Sequence, residues 1–249
     1  MSVRFQQIST AWDRLAYEDP LWAVCVSPDK KGNRWSSQDF YATGEQEITS
    51  VLERAKELCL RSEGTRALDF GCGVGRVSIP LAKRFDEVIG VDVSDQMLAL
   101  ARAAAQEATH GERCQFVRNE KANLAIFEDA SFDFIYSSMV LQHMPPTFSA
   151  VYLRDFIRVL KPGGTAVFHI PASTRWTVKG MLFRWAPHWL LASGQRLILH
   201  YPAPMEMHCT SPEQIRKLVE SAGAQILAID PVHLKGSQWH DVWYYVRKG

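Results

Sequence analysis

The sequence has almost no net charge: 28 Lys and Arg against 27 Asp and Glu leave a formal +1. Without a domain-wide basic excess, nucleic acid is not expected as a partner. No run of 18 apolar residues occurs, so no membrane-spanning helix is expected. The opening MSVRFQQISTAWDR has no apolar core segment, so no secretory signal is expected and the cytoplasm is the expected location. Cysteine is sparse and odd in number: Cys25, Cys59, Cys72, Cys114 and Cys209, with no pair at C-x-x-C spacing. That pattern argues against a zinc site and against a disulfide framework, and suits reduced thiols. Internal repeats and low-complexity stretches are also missing.

What is present fits a filled core: 47% of the 249 residues are hydrophobic. The stretch 66–76, RALDFGCGVGR, places Gly71, Gly73 and Gly75 directly after Asp69. Ala67–Phe70 reads as a buried strand and Val77–Arg84 as a helix, with Pro80 tolerated near its start. Strand, glycine turn and helix lay out a nucleotide-type site at a helix N-terminus, although an ordinary tight turn uses the same parts. A second strand, Glu87–Asp92, ends in an acid, and Ser94 and Asp95 offer an N-cap to a helix over 96–107. Asp92 stands 21 residues after Gly71. Adjacent strand ends in a βαβ unit put such a carboxylate, which only accepts hydrogen bonds, beside a ribose diol. The dinucleotide fingerprint G-x-G-x-x-G is not met, and no G-K-[ST] triplet exists, so a pyrophosphate cradle is disfavoured.

Four blocks in order, DFGCGVG (69–75), VDVSDQML (91–98), SFDFIYSSMVLQH (131–143) and VLKPGGT (159–165), resemble the class I S-adenosylmethionine-dependent methyltransferases, small-molecule type. The resemblance implies an α/β fold: a Rossmann-like seven-stranded, mostly parallel sheet with an antiparallel last strand, flanked by helices, plus a helical lid. It implies S-adenosyl-L-methionine as cofactor and S-adenosyl-L-homocysteine as product. Carried over residue by residue, Asp69, Gly71, Cys72, Gly73 and Gly75 form the loop under the methionine part, Asp92 with Val93 holds the ribose, and Met97 packs on adenine. Glu120 aligns with the acid that meets the adenine amino group, with Asn119 and Asn123 as competitors. Ser137, Ser138 and Met139 face the methyl donor. His143 follows them; it could deprotonate a substrate, bond the cofactor or brace the loop. His169 reads as a core histidine. No metal is expected, since His200, Glu206 and His208 match no strong ligand spacing.

One domain over 1–249 is expected: an N-terminal cap (1–45), a cofactor-binding core (46–170), a lid insertion (171–210) and a C-terminal helix and strand hairpin (211–249). Gly44 reads as the opening of a helix over 45–61. All eight tryptophans lie outside residues 36–175, which marks the flanks as candidate substrate walls. Residues 171–204, with Trp176, Arg184, Trp185, Pro187, His188, Trp189 and Arg196, read as a lid, an interfacial element or a dimer surface. Ser211 caps a helix that Gly223 ends, and strands follow at 224–229 and 241–247. The expected reaction is O-methylation of a small molecule by a monomer or homodimer. Alternatives are N-methylation of an amine or ring nitrogen, a non-catalytic S-adenosylmethionine-binding protein, and a Rossmann dehydrogenase that the glycine spacing disfavours.

Overall fold

A computed structural model describes residues 3–186, 188–232 and 237–249. Pro187 and the side chains of Arg184, His188 and Trp189 lie outside the described residues. The sheet has seven strands: β1 (Gly64–Phe70), β2 (Phe85–Asp92), β3 (Cys114–Arg118), β4 (Phe132–Ser137), β5 (Leu160–Thr174), β6 (Ala224–Val232) and β7 (Trp239–Lys248). Their order is β3-β2-β1-β4-β5-β7-β6. Neighbours from β3 to β5 pair in parallel, and β7 runs antiparallel between β5 and β6. The chain reverses its direction of winding between β1 and β4. Ligands of open α/β sheets bind at that place, outside the carboxyl ends of the strands.

Both faces of the sheet are covered, so its central strands carry continuous apolar runs. All six residues of β4 are buried. Phe132 and Ile135 enter one core with Phe70, Phe156, Phe168 and Tyr244. Phe134 and Tyr136 enter the other, against Ile48, Val51 and Ala55 of α3 (Ser37–Glu57). Two helices precede α3: α1 (Val3–Glu18) and α2 (Pro20–Val24). They are followed by α4 (Ser78–Leu81), α5 (Asp95–Glu107), α6 (Pro146–Val159), α7 (Val178–Trp185), α8 (His188–Leu197) and α9 (Pro212–Ser221).

Local chemistry sets the helix ends. Ser94 accepts the Met97 N–H at 3.2 Å and caps α5. Ser211 and Gln214 form a reciprocal capping box on α9, with Pro212 in the first turn. Gly223 then takes φ +87° beyond its end. Two expectations change. α3 starts at Ser36–Ser37, not at Gly44, which lies inside it. A Cβ on Gly44 would stand 2.1 Å from the Arg76 carbonyl oxygen, so this glycine permits a close crossing rather than a helix start. The helix after the glycine turn is one turn, Ser78–Leu81, not 77–84; the Ala82 N–H is shared between the Ser78 and Ile79 carbonyls as the helix ends.

Candidate active site

The glycine turn leaves β1 with Gly71 at φ +74°, a left-handed backbone that side-chain-bearing residues rarely adopt. A Cβ there would stand 2.2 Å from Val140 Cγ2. Val140 reaches this position because Met139 is itself left-handed, φ 57°, turning the chain sharply out of β4. Gly71 and Gly73 line a cavity with Asp92, Val93, Met97 and Asn119. Ser138, Met139, Val140 and His143 also line it. Phe5, Ile8 and Trp12 of α1 cover it, and Phe148 and Tyr152 of α6 wall it.

Asp92 is held from two sides. Its Oδ2 accepts the Gly73 N–H and its Oδ1 the Ser94 N–H, each at 2.9 Å. Burial pushes its pKa up, and the N–H bonds from Ser94 and Gly73 oppose that rise. Two of the roughly four acceptor positions of a carboxylate are thereby used, leaving the rest for a ligand. Asn119, buried behind β3, receives its place from its own N–H, which donates to the Asp92 carbonyl at 2.8 Å. Its Nδ2 donates to the Tyr152 hydroxyl at 3.0 Å. α1 is tied down beside them: Ser9 Oγ donates to the Val93 carbonyl at 3.0 Å, and Ser94 Oγ to Asp13 Oδ1 at 2.6 Å.

His143 sits in a short 3-10 turn, Leu141–His143. Its Nδ1 lies 2.7 Å from the Glu206 carbonyl oxygen. A carbonyl only accepts, so Nδ1 carries the proton and Nε2 keeps a lone pair. Burial lowers its pKa to about 4. The ring is therefore neutral near pH 7, and Trp12 meets it edge-on at 5.3 Å between centroids. With a neutral imidazole and the Asp92 carboxylate both in its lining, the cavity tolerates a cationic ligand. A second cavity, of about 540 Å³, shares Ile8, Trp12 and His143 with the first and is otherwise lined in part by Arg14, Arg196 and Glu206.

The remaining expected residues stand elsewhere. Asp69 is buried below the turn, where it accepts the Ser78 hydroxyl at 2.6 Å, and burial raises its pKa to about 7. Cys72 and Gly75 lie behind the loop, with Cys72 Sγ directed at the Gly73 carbonyl. Ser137 is fully buried and Glu120 is exposed; neither lines the cavity, and the neighbouring amide Asn119 does. His169 is buried in β5 with its Nε2 3.4 Å from Asp241 Oδ1 and Trp243 against its ring. Glu206 Oε2 lies 3.1 Å from His208 Nε2, but among the described residues no three such groups gather as for a metal. Phe5 and Ile8 are wall residues that sequence reasoning did not single out. Their spacing with Trp12, three and then four residues, was the available signal for one helix face.

Residues 67–164 match the family model described as a methyltransferase domain. The chain is 32% identical over 127 residues to the 27-O-demethylrifamycin SV methyltransferase of Amycolatopsis mediterranei (strain S699), covering 51% of this chain and 46% of that one. It therefore spans about half the length of that relative. Over 205 residues it is 28% identical to a ubiquinone biosynthesis O-methyltransferase of Cereibacter sphaeroides (strain ATCC 17029), covering 79% of this chain and 73% of that one. The fold matches magnesium protoporphyrin IX methyltransferase from Synechocystis PCC 6803, solved with bound SAH, at a TM-score of 0.63 and 21% identity, covering 99% and 98% of the two chains. It also matches the cyclase SpnF at a TM-score of 0.64 and 19% identity, covering 99% and 97%. At these identities the two structures speak to the fold alone.

Proposed function

We propose that the chain, whose residues 67–164 match a methyltransferase-domain family model, is an S-adenosylmethionine-dependent methyltransferase that methylates a hydroxyl oxygen of a small molecule. The observation that carries this reading is the position of His143 in the walls of both cavities, with its Nδ1 proton fixed on a carbonyl. The residues of the first cavity suit an adenosyl cofactor. Asp92 retains acceptor capacity for a ribose diol, Gly71 and Gly73 expose backbone, and Met97 and Asn119 offer a flat ring an apolar contact and an amide. When bound, S-adenosylmethionine supplies a methyl group already activated on a positively charged sulfur.

The protein then has three tasks. It aligns the acceptor oxygen beside Ser138–His143, it excludes water, and it holds the hydroxyl proton. α1 does the excluding, through Phe5, Ile8 and Trp12. His143 Nε2 is the group with a free lone pair to accept the hydroxyl proton as the oxygen forms its bond to carbon. Its low proton affinity suits an acceptor whose hydroxyl is acidic, such as a phenol, better than an alcohol. The second cavity gives such an acceptor a way in. The named activities of the rifamycin and ubiquinone relatives support a small molecule as acceptor and oxygen as the atom.

The test is transfer of labelled methyl from S-adenosylmethionine to a phenol panel and to whole cell extract, with Asp92→Ala as control. Label in an organic-soluble product, lost in the control, is expected. Label recovered only in precipitated protein or RNA would refute the reading.

A further inference from the structure

The segment between β5 and α9 leaves much of its apolar surface uncovered. Gln195 of α8 is 9% exposed, its amide bonded to both the N–H and the carbonyl of Met205 at 2.7 and 3.0 Å. Two and three residues along, Leu197 and Ile198 are 77% and 74% exposed. On α7, Thr177 caps the first turn and Phe183 packs on Trp239 at 5.0 Å, which docks one side of the helix. Met181, Leu182 and Trp185 stand exposed, Trp185 to 75%, and Leu190 of α8 joins them. Phe183 and the Gln195 amide thus anchor the segment inward while several large apolar side chains face out, which for a lone soluble surface is the unfavourable arrangement.

The charge of the same stretch selects the partner. Residues 171–205 contain no Asp or Glu, although the chain has 27. They carry Arg175, Lys179, Arg184 and Arg196. Two copies meeting through this stretch would each bring its net positive charge and no carboxylate from it, which repels. An anionic bilayer surface instead attracts the net positive charge of the stretch and offers an acyl boundary to its exposed side chains, with Trp185 at the depth tryptophan favours. We infer that α7 and α8 dock this protein peripherally on anionic membranes. The face is continuous with the site, since Arg196 of α8 also lines the second cavity. The inference does not need the methyl-transfer reading to hold.

The test is flotation of the full chain with vesicles of phosphatidylcholine alone, or with about 30% phosphatidylglycerol, at low and high salt. The expected result is at least about tenfold more protein on the anionic vesicles at low salt, with the difference shrinking as salt rises. Brominated acyl chains are expected to quench tryptophan emission of the unaltered chain under the same conditions. Leu197→Ser with Ile198→Ser, at exposed positions, is expected to reduce binding at least about tenfold while melting and S-adenosylhomocysteine binding stay as they are. A chain that stays with the soluble fraction on every vesicle overturns the inference. So does flotation unaffected by the double substitution, or a dimer in sedimentation that the double substitution dissociates.

Discussion

Replacing Gly71 by alanine tests the geometry of the glycine turn most directly. The left-handed φ of +74° costs a side-chain-bearing residue about 1–2 kcal/mol. The new Cβ would lie 2.2 and 2.6 Å from the two Val140 methyl carbons. Comfortable carbon–carbon contact needs about 3.5–4.0 Å, so Val140 must retreat by more than about 1 Å. Overpacking of that kind costs about 1–3 kcal/mol. The sum is about 2–5 kcal/mol, read as a lowered urea midpoint at unchanged slope. Val140→Ala removes the two offending methyl groups, so Gly71→Ala/Val140→Ala is expected to lose less than the two single changes added together. The shortfall should be at least about 1 kcal/mol, well above the additivity error of distant sites. Strict additivity in that cycle, or a loss below about 0.5 kcal/mol for Gly71→Ala alone, would refute the reasoning.

Other outcomes follow from the site. Asp92→Asn removes a charged acceptor and should weaken S-adenosylhomocysteine binding by about 10–100-fold in calorimetry, the scale of one or two lost charge-assisted hydrogen bonds; a change within about twofold would remove Asp92 from the ribose role. His143, with its pKa near 4, is uncharged from neutral pH down to mildly acid pH. The rate at saturating acceptor should therefore show no acid limb near pH 6.5, the ordinary histidine value; a limb there, absent in His143→Gln, would mean the buried ring titrates normally. Asp69 is raised to about 7, so the folded chain binds its proton more tightly than the unfolded chain. Its contribution is complete below the ordinary carboxylate pKa and is lost as pH climbs to about 7. Asp69→Asn should flatten part of that decline in urea midpoint between about pH 4 and 7, and a parallel curve would show that Asp69 is not protonated in the fold.

The parts of the fold legible in the sequence are those where one local signal governs. β1, β2 and β4 are short apolar runs that end in turns, and α5 and α9 carry serine caps whose bonds the structure contains. The lining of the candidate cavity was legible where backbone chemistry defines it, at Gly71, Gly73 and Asp92. Legibility failed where a distant contact decided the outcome. Gly44 resembles a helix start only if the Arg76 carbonyl pressed against it is ignored. The choice between Asn119 and Glu120 turns on one residue of register past β3, and the Asn119 N–H bond to the Asp92 carbonyl settles which side chain faces inward. α1 carries no motif; Phe5 and Ile8 become wall residues through bonds made 84 and 81 positions along the chain.

That last feature bears on the order in which the protein completes itself. Phe5, Ile8 and Trp12 are synthesised well before the cavity residues they rest on. Val93, Asp92, Met144 and Phe148 share that cavity with them. Contacts so distant in sequence are late events in folding, since the intervening chain must be ordered before they are rewarding. The expected order is an open half-site built by the strands, on which the roof then closes. A segment joined last to a finished core belongs to the end of a protein that opens most readily. The first helix of the chain is thus placed as a hinged door, and amide exchange faster in α1 than in β1 or β4 would be its signature.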